Sequence, residues 1–345
     1  MANSRIDVHA HFLPPDYFQA CLDNGYANPD GMPALPKWST EAHLDSMSRI
    51  GISKSILSIS SPGTYLKIGD KQLASTVTRY CNNYAASLKK QYPSKFGFWA
   101  SLPLPDIELA LAEIPQAIED GCDGFAVKTN HQGHYLGDPL FDPVFEEFNK
   151  RRAIVFIHPT SPCIACGDGK EPIKAAPLHA NFPNPMIEFF FDTARCVTNL
   201  FLSGTVARYP DITYVIPHAG GAMPPILPRF TGFSTLVPGP WTGVAEKEAR
   251  QAFNKQFYFD LAGFPFSNSS EDGKPSGQLV GLVQGCGVSS QRLMYGSDFP
   301  FTSVEGVNML AGQMNTGVKK MFSDDEIEAI YHGNAQRLLD RRQSV

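Results

Sequence analysis

The sequence predicts one (β/α)8 barrel, and three observations support this fold. The chain has 345 residues, 43% of them hydrophobic, which suits a single large α/β domain with a sizeable core. Eight short apolar segments with strand-like composition alternate with helix-like segments along the chain. The alternative, a doubly wound open sheet, is disfavoured because no G-x-G-x-x-G motif follows the first strand.

The predicted strands are short apolar runs rich in β-branched and aromatic residues. In chain order they cover residues 5–9, 53–60, 96–101, 122–128, 153–158, 211–217, 257–261 and 293–297. Between them, helical spacing of apolar residues predicts helices at 40–50, 70–90, 106–120, 141–151, 185–208, 323–331 and 334–342. Gly51 and Gly121 end two of these helices, and Ser323 with Glu326 fits a capping box. Strands and helices thus alternate over the whole length, as a barrel requires.

Two Pro- and Gly-rich segments interrupt this alternation. The first, at about 13–39, follows the first strand, and the second covers about 162–177. Long irregular segments inside a compact domain usually carry function. We therefore predict a single domain, residues 1–345, with a small insertion at about 13–39.

Composition and charge exclude several classes of partner. The net charge is −5 and the basic residues are scattered, so neither nucleic acid nor an anionic membrane surface is expected as a partner. No apolar run approaches the ~20 residues that span a bilayer. The amino terminus lacks the apolar region of a signal peptide, and the seven cysteines are widely spread. We expect a cytosolic protein with reduced thiols.

Polar side chains end four of the predicted strands. His9 and His11 lie two residues apart, so a strand aims both imidazoles at the same side. His158, His218 and Asp298 each follow an apolar strand. Because a barrel brings the carboxyl ends of its strands to one cavity, these side chains are expected to meet there. Histidines with a carboxylate predict a divalent metal site, and the small residues after His218 allow close approach.

Four motifs give the chain a resemblance to a known family. They are DVHAH at 7–11, FIHP at 156–159, IPHAGG at 216–221 and GSDFP at 296–300. Together they resemble the amidohydrolase superfamily, and within it the decarboxylase branch. That branch includes aminocarboxymuconate-semialdehyde, γ-resorcylate and fungal 6-methylsalicylate decarboxylases, and the last group is the most similar. The resemblance spans the chain and implies a distorted (β/α)8 barrel with a small insertion after strand one.

The resemblance also implies roles for individual residues. His9, His11, His158 and Asp298 correspond to the ligands of one metal ion per chain, which we expect to be Zn2+, with Mn2+ as the alternative. His218 corresponds to a catalytic histidine beside the metal. Arg229 corresponds to an arginine that reaches the substrate across a dimer interface, so a homodimer is expected. Phe299, together with Phe12 and Phe301 near the motifs, is a candidate wall for an aromatic ring.

Three features depart from the resemblance or lie outside it. Residues 43–47 lack the arginine with which semialdehyde decarboxylases bind their substrate, which favours a less charged acid. Lys128 ends strand four, where binuclear amidohydrolases place a carbamylated lysine. It is either a substrate contact or a solvated lysine. Cys163 and Cys166 have redox or zinc spacing but no second pair, so a loop feature near the pocket is expected.

The expected activity is metal-dependent, non-oxidative decarboxylation of a hydroxybenzoate-type acid, with 6-methylsalicylate giving m-cresol and CO2. Asp298 is the expected proton donor to the ring carbon, on the argument that burial raises the pKa of a carboxyl group. A metal-dependent hydrolase of a small ester, lactone or amide uses the same residues and is the first alternative. A non-catalytic barrel that only binds a ligand is the second, which the complete ligand set disfavours. The preference for a decarboxylase comes from the resemblance.

Overall fold

A computed structural model describes residues 4–164, 172–179, 181–237, 243–267 and 274–341. Its centre is one sheet of eight parallel strands whose order follows the chain. The strands are β1 Arg5–His11, β2 Ile52–Ser58, β3 Phe96–Ser101, β4 Gly124–Lys128, β5 Ile154–His158, β6 Thr213–Ile216, β7 Phe257–Asp260 and β8 Leu293–Met294. β1 returns to the end of β8, where Asp7 bridges Tyr295 and Val8 N donates to Tyr295 O at 3.0 Å. The sheet therefore closes, which confirms the predicted barrel.

Helices and loops connect these strands on the outside of the sheet. The helices are α1 Pro15–Asp23, α2 Thr40–Ile50, α3 Lys71–Gln91, α4 Ile107–Glu119, α5 Asp142–Lys150, α6 Glu188–Leu202, α7 Thr205–Arg208, α8 Met223–Leu236, α9 Glu246–Lys255, α10 Gln278–Val280, α11 Val304–Val318, α12 Asp324–Glu328 and α13 Asn334–Asp340. Two short hairpins pair Asn130–His131 with His134–Tyr135 and Cys163–Ile164 with Ile173–Lys174. Within the described residues, no helix combines the length and apolar character needed to cross a bilayer.

Several elements differ from the prediction for identifiable reasons. The helix predicted at 185–208 is two helices, because Gly204 takes a left-handed φ of 77° between them. The segment 13–39, which we predicted as an insertion, contains α1, which starts at Pro15, a residue tolerated in the first turn of a helix. α8 was not predicted because its three prolines suggest a loop, although two of them lie in its first turn. The capping box of Ser323 and Glu326 is confirmed.

Apolar side chains and the last helix fill the barrel interior on the side away from the carboxyl ends of the strands. The interior cluster comprises Ile6, Val8, Ile56, Trp99, Ala126, Ile154, Phe156, Val215, Tyr258, Met294, Ala335, Leu338 and Leu339. The last three come from α13, so this helix packs against the interior cluster. The carboxyl ends of the strands remain for the polar residues of the four motifs.

A β-bulge in β1 shapes this polar end. Asp7 pairs with Ser55 and Ala10 pairs with Leu57. Between these two pairs β1 advances by three residues, whereas β2 advances by only two. An extra residue in one strand changes the direction of the side chains around it. Val8 packs in the interior cluster, and the adjacent His9 also lies 5.1 Å from Phe156 of that cluster, measured between ring centroids. The bulge thereby brings His9 into the barrel mouth.

Candidate metal centre

The structure brings the four predicted metal ligands together. His9 and His11 come from β1, His158 ends β5, and Asp298 follows β8. One potential ligand atom from each side chain lies within 4.8 Å of all the others. His11 Nε2 is 3.1 Å from both His9 Nε2 and Asp298 Oδ1, and His9 Nε2 is 3.5 Å from Asp298 Oδ1. The three histidines are buried, so the four groups converge on one shielded point.

The opposite nitrogen of each imidazole is held by a hydrogen-bond acceptor. His9 Nδ1 lies 2.9 Å from Asp260 Oδ2, and His158 Nδ1 lies 2.7 Å from Pro159 O. His11 Nδ1 lies 3.2 Å from Ser58 O. Carboxylate and carbonyl oxygens only accept, so we assign the proton of each ring to Nδ1. Each Nε2 lone pair is then free to face the shared point, as metal-binding histidines require.

This donor set fits a divalent metal ion. Two imidazole nitrogens 3.1 Å apart, beside a carboxylate, need a proton or a metal ion between them. Burial lowers the pKa of His9, but the charges and hydrogen bonds of Asp260 and Asp298 outweigh it and raise that pKa to about 10. The surroundings of His9 thus favour a positive charge. Three imidazoles and one carboxylate are a typical set for a borderline ion such as Zn2+.

Asp260 is a functional residue that the sequence reasoning missed. It ends β7, is fully buried, and its Oδ1 accepts from His218 N at 3.1 Å and Ala262 N at 3.0 Å. Its Oδ2 accepts from His9. Burial alone would raise the pKa of Asp260, yet the charge and hydrogen bond of His9 hold it below its usual value. The available signal was its position, since it is one more polar residue at the end of an apolar strand.

The surroundings of Asp298 lower its pKa, so the raised pKa expected from burial alone is wrong. Burial would raise the pKa of Asp298, but its close contacts with His11 Nε2 and His9 Nε2 and the charges of these rings keep it well below its usual value. Its backbone is left-handed, with φ 59°. Asp298 N donates to His9 O at 2.8 Å, and the neighbouring Ser297 Oγ donates to Asp7 Oδ2 at 2.6 Å. β1 therefore holds this uncommon conformation in place.

His218 lies beside the four candidate ligands. Its ring centroid is 4.8 Å from that of His9, and it stacks on Phe190 at 5.5 Å. Burial and the charge of His9 lower the pKa of His218, so the ring is neutral. Its Nδ1 lies 3.3 Å from Ala262 O, which leaves Nε2 as an acceptor. A neutral imidazole with a free acceptor can take a proton from a substrate hydroxyl.

The small residues after His218 serve a tight turn against α6. His218 and Ala219 both have left-handed backbones, with φ 52° and 49°. A Cβ added at Gly221 would lie 2.5 Å from Phe190 O, so only glycine fits there. Gln278 donates to the carbonyl oxygens of His218 and Gly221 and thereby fixes the turn.

Lys128 is buried, which rules out the solvated lysine. The side chain is 6% exposed, and its Nζ donates to Ile59 O at 2.6 Å. Burial lowers the pKa of Lys128 to about 7, against the opposing charge of Asp30. Lys128 pairs with His158 in the β4–β5 ladder and also lines a cavity of about 300 Å³. The cavity therefore begins one strand away from a candidate ligand.

The other predicted site residues lie elsewhere. Phe299 is not among the cavity residues, and its ring packs edge-on against His43 of α2 at 5.0 Å. Phe12 also packs in the core, whereas Phe301 lies 5.5 Å from His11 and is the aromatic residue nearest the centre among these three. Arg229 is exposed on α8, with its guanidinium 4.7 Å from the Phe233 ring centroid. The predicted contact of Arg229 with substrate would need a second subunit.

The cysteine pair is only partly visible. Cys163 is buried and lines the cavity, in agreement with a loop feature near the pocket. Cys166 lies outside the described residues.

Comparisons with known proteins identify the family of the chain. A profile of the amidohydrolase family matches residues 6–341. The decarboxylase yanB of Aspergillus niger is 34% identical over 98% of this chain and 88% of its own length. A 6-methylsalicylic acid decarboxylase of Penicillium expansum is 32% identical over 75% of this chain and 76% of its own length.

Solved structures share the fold of this chain. An amidohydrolase II superposes with a TM-score of 0.82 at 31% identity, covering 98% of this chain and 100% of its own. A dihydroxybenzoic acid decarboxylase from Polaromonas, with bound manganese and the inhibitor 2-nitroresorcinol, gives 0.74 at 22% identity over 98% and 97%. These findings confirm the predicted family, its decarboxylase branch and the enzyme class. The chain belongs to the amidohydrolase family, in the branch whose curated relatives are decarboxylases.

Proposed function

We propose that the protein is a metal-dependent decarboxylase that removes CO2 from a hydroxybenzoate-type acid without oxidation. The first substrate to test is 6-methylsalicylate, which would give m-cresol. The observation that carries the proposal is the convergence of three Nε2 atoms and the Asp298 carboxylate beside neutral His218 and a cavity. The named activity of the Penicillium expansum relative supports the choice of substrate.

His9, His11, His158 and Asp298 are proposed to hold one divalent ion. When bound, the ion would supply a Lewis acid that stabilises negative charge developing on the oxygens of the acid. Three imidazoles favour Zn2+, while an oxygen-rich aromatic acid also suits Mn2+. The manganese in the Polaromonas neighbour supports the second possibility.

The chain's own residues are proposed to move one proton. Because the surroundings of Asp298 lower its pKa, we take its proton to come from the ortho hydroxyl of the bound acid. Before that transfer, His218 Nε2 accepts a hydrogen bond from the ortho hydroxyl and so orients the ring. Asp298 then protonates the ring carbon that carries the carboxylate, which breaks aromaticity. The bond to CO2 breaks, its electron pair returns to the ring, and the phenolate regains a proton from solvent.

We also propose a homodimer in which Arg229 contacts the substrate of the partner subunit. Arg229 lies on an outer helix beside Phe233, whose side chain is 52% exposed. Light scattering should give about twice the 37.8 kDa chain mass. Arg229→Ala should raise KM without loss of bound metal, whereas an unchanged KM would contradict this role.

The test combines metal content with CO2 release from 6-methylsalicylate. We expect about one divalent ion per chain, with loss of both metal and CO2 release in His158→Ala. His332→Ala, which changes a histidine on the far C-terminal segment, is the matched control and should keep both. Metal without CO2 release from any hydroxybenzoate would contradict the decarboxylase and favour a hydrolase or a binding protein.

A further inference from the structure

His158 is the candidate ligand whose ring is oriented by its own loop. Its Nδ1 lies 2.7 Å from Pro159 O, the carbonyl oxygen of the next residue, whereas His9 Nδ1 faces the side chain of Asp260. The place of Pro159 O is set by the backbone of residues 158–160. Whatever fixes this short loop therefore also fixes the direction in which His158 Nε2 faces the candidate metal centre.

Thr129, the residue that follows β4, holds this loop at two points. Its backbone N donates to His158 O at 3.0 Å, and its hydroxyl accepts from Thr160 N at 3.2 Å. Pro159 O and Thr160 N belong to the same planar peptide group. The hydrogen bond to the Thr129 hydroxyl therefore also fixes the direction of Pro159 O, the acceptor of His158 Nδ1.

A buried carboxyl group sets the direction of the Thr129 hydroxyl. Asp192 on α6 is buried, and its Oδ2 accepts from Thr129 Oγ1 and from Asn130 Nδ2, the latter at 3.0 Å. Because Thr160 N is itself a donor, the hydroxyl hydrogen of Thr129 points at Asp192 and a lone pair points at Thr160 N. Asp192 thus prepares the Thr129 hydroxyl to act as the acceptor that holds the loop.

Tyr135 binds the other oxygen of the same carboxyl group. Its OH donates to Asp192 Oδ1, and its ring centroid lies 4.7 Å from the guanidinium carbon of Arg195. Both of these contacts are made with α6 rather than with the loop of residues 158–160. Tyr135 therefore offers a matched comparison, because loss of its hydroxyl removes a hydrogen bond from Asp192 and leaves the contacts of Thr129 in place.

We propose that Thr129 is a positioning residue for the metal ligand His158, with Asp192 as the group that orients its hydroxyl. The inference rests on the metal centre of the proposed function but not on the identity of the substrate. Without the hydroxyl, the peptide group after Pro159 loses the contact that fixes it. The Nδ1 proton of His158 then loses a fixed acceptor, and the lone pair on Nε2 is no longer held towards the centre.

The experiment measures the affinity of the full chain for Zn2+ by competition with a chromophoric chelator. Thr129→Val keeps the branched shape of the side chain but removes the hydroxyl. We expect it to bind Zn2+ roughly tenfold or more weakly, as is typical when a group that orients a metal ligand is lost. Thr129→Ser keeps the hydroxyl and should bind Zn2+ as tightly as the unaltered protein.

Tyr135→Phe separates this role from a general loss of stability. Thr129→Val and Tyr135→Phe each remove one hydrogen bond from buried Asp192, so both variants should unfold at lower urea concentration than the unaltered protein. Only Thr129→Val should also bind Zn2+ more weakly. Equal Zn2+ affinity in Thr129→Val and Tyr135→Phe, whether both keep it or both lose it, would overturn the inference.

A second pair of variants decides the matter if Thr129→Val does not fold. Thr129→Ala and Thr129→Ser differ only in the hydroxyl oxygen, so weaker Zn2+ binding by Thr129→Ala supports the role and equal binding overturns it. Failure of the unaltered protein to bind Zn2+ would refute the metal centre and this role together. Zn2+ binding that does not depend on the hydroxyl would refute the role alone and leave the proposed function in place.

Discussion

Asp260→Asn tests whether the carboxylate behind His9 supports metal binding. Asp260 Oδ1 accepts two backbone N–H groups at 3.1 and 3.0 Å, and an amide oxygen can keep both. The new NH2 group would then face His9 Nδ1, where Oδ2 now accepts at 2.9 Å. Two donors cannot pair, so His9 must move its proton to Nε2 and lose the lone pair that faces the centre.

The expected loss is large because one of four candidate ligands is impaired. Changes to groups that orient a metal ligand typically cost roughly 10- to 100-fold in metal affinity, or about 1.4 to 2.8 kcal/mol. Since the substitution here alters the ligand's tautomer, we expect the upper part of that range. Competition with a chromophoric zinc chelator measures the affinity directly.

Asp142→Asn is the matched control for this prediction. Asp142 pairs with Arg208 on the surface at 2.7 Å and is not one of the candidate ligands, so its substitution removes the same charge without changing the centre. Its metal affinity should equal that of the unaltered protein. The reasoning is refuted if Asp260→Asn binds zinc as tightly as the control, or if both variants weaken binding equally.

Two further predictions concern packing and pH. Gly296→Ala places a Cβ 2.8 Å from His9 Cβ, so we expect elemental analysis to find less metal in this variant. The control Gly312→Ala adds a Cβ that meets no atom within 4 Å and should keep its metal. Equal metal content in the two variants would argue against a tightly packed His9. Burial would raise the pKa of Asp106, but the hydrogen bond and charge of Lys71 and the backbone N–H groups of Leu109 and Glu108 together lower it. The stability that Asp106 adds is therefore fully present above the unfolded value of 3.8 and is lost as pH falls below that value through the lower folded-state pKa. Urea unfolding between pH 6 and 3 should therefore depend less on pH in Asp106→Asn, and an unchanged pH dependence would contradict this.

The barrel and its candidate ligands were predictable because both correspond to local patterns in the sequence. Alternating apolar runs and helical segments appear directly in the chain, and the ligands follow apolar strands as isolated polar residues. His9 and His11 also show their shared side through their spacing of two. The β-bulge that brings His9 inward was not predictable, because it depends on the pairing of β1 with β2.

What the sequence missed depends on contacts between distant segments. Asp260 looks like an ordinary loop start until β7 is placed behind His9. The low pKa of Asp298 comes from His9 and His11 on another strand, so burial alone predicted the wrong direction. Lys128 is buried because the segments after β1, β2 and β3 cover it. α8 was not predicted because its prolines suggest a loop, and only the structure shows that two of them lie in its first turn.

Removal and restoration of the metal tests the central proposal most directly. The protein is stripped with a chelator, and CO2 release from hydroxybenzoates is measured while Zn2+ or Mn2+ is added back. We predict that stripping abolishes release and that activity rises to a plateau at about one equivalent per chain, as expected for one site of four ligands. Full activity in the stripped protein, or a plateau only at two equivalents, would contradict a single catalytic ion held by His9, His11, His158 and Asp298.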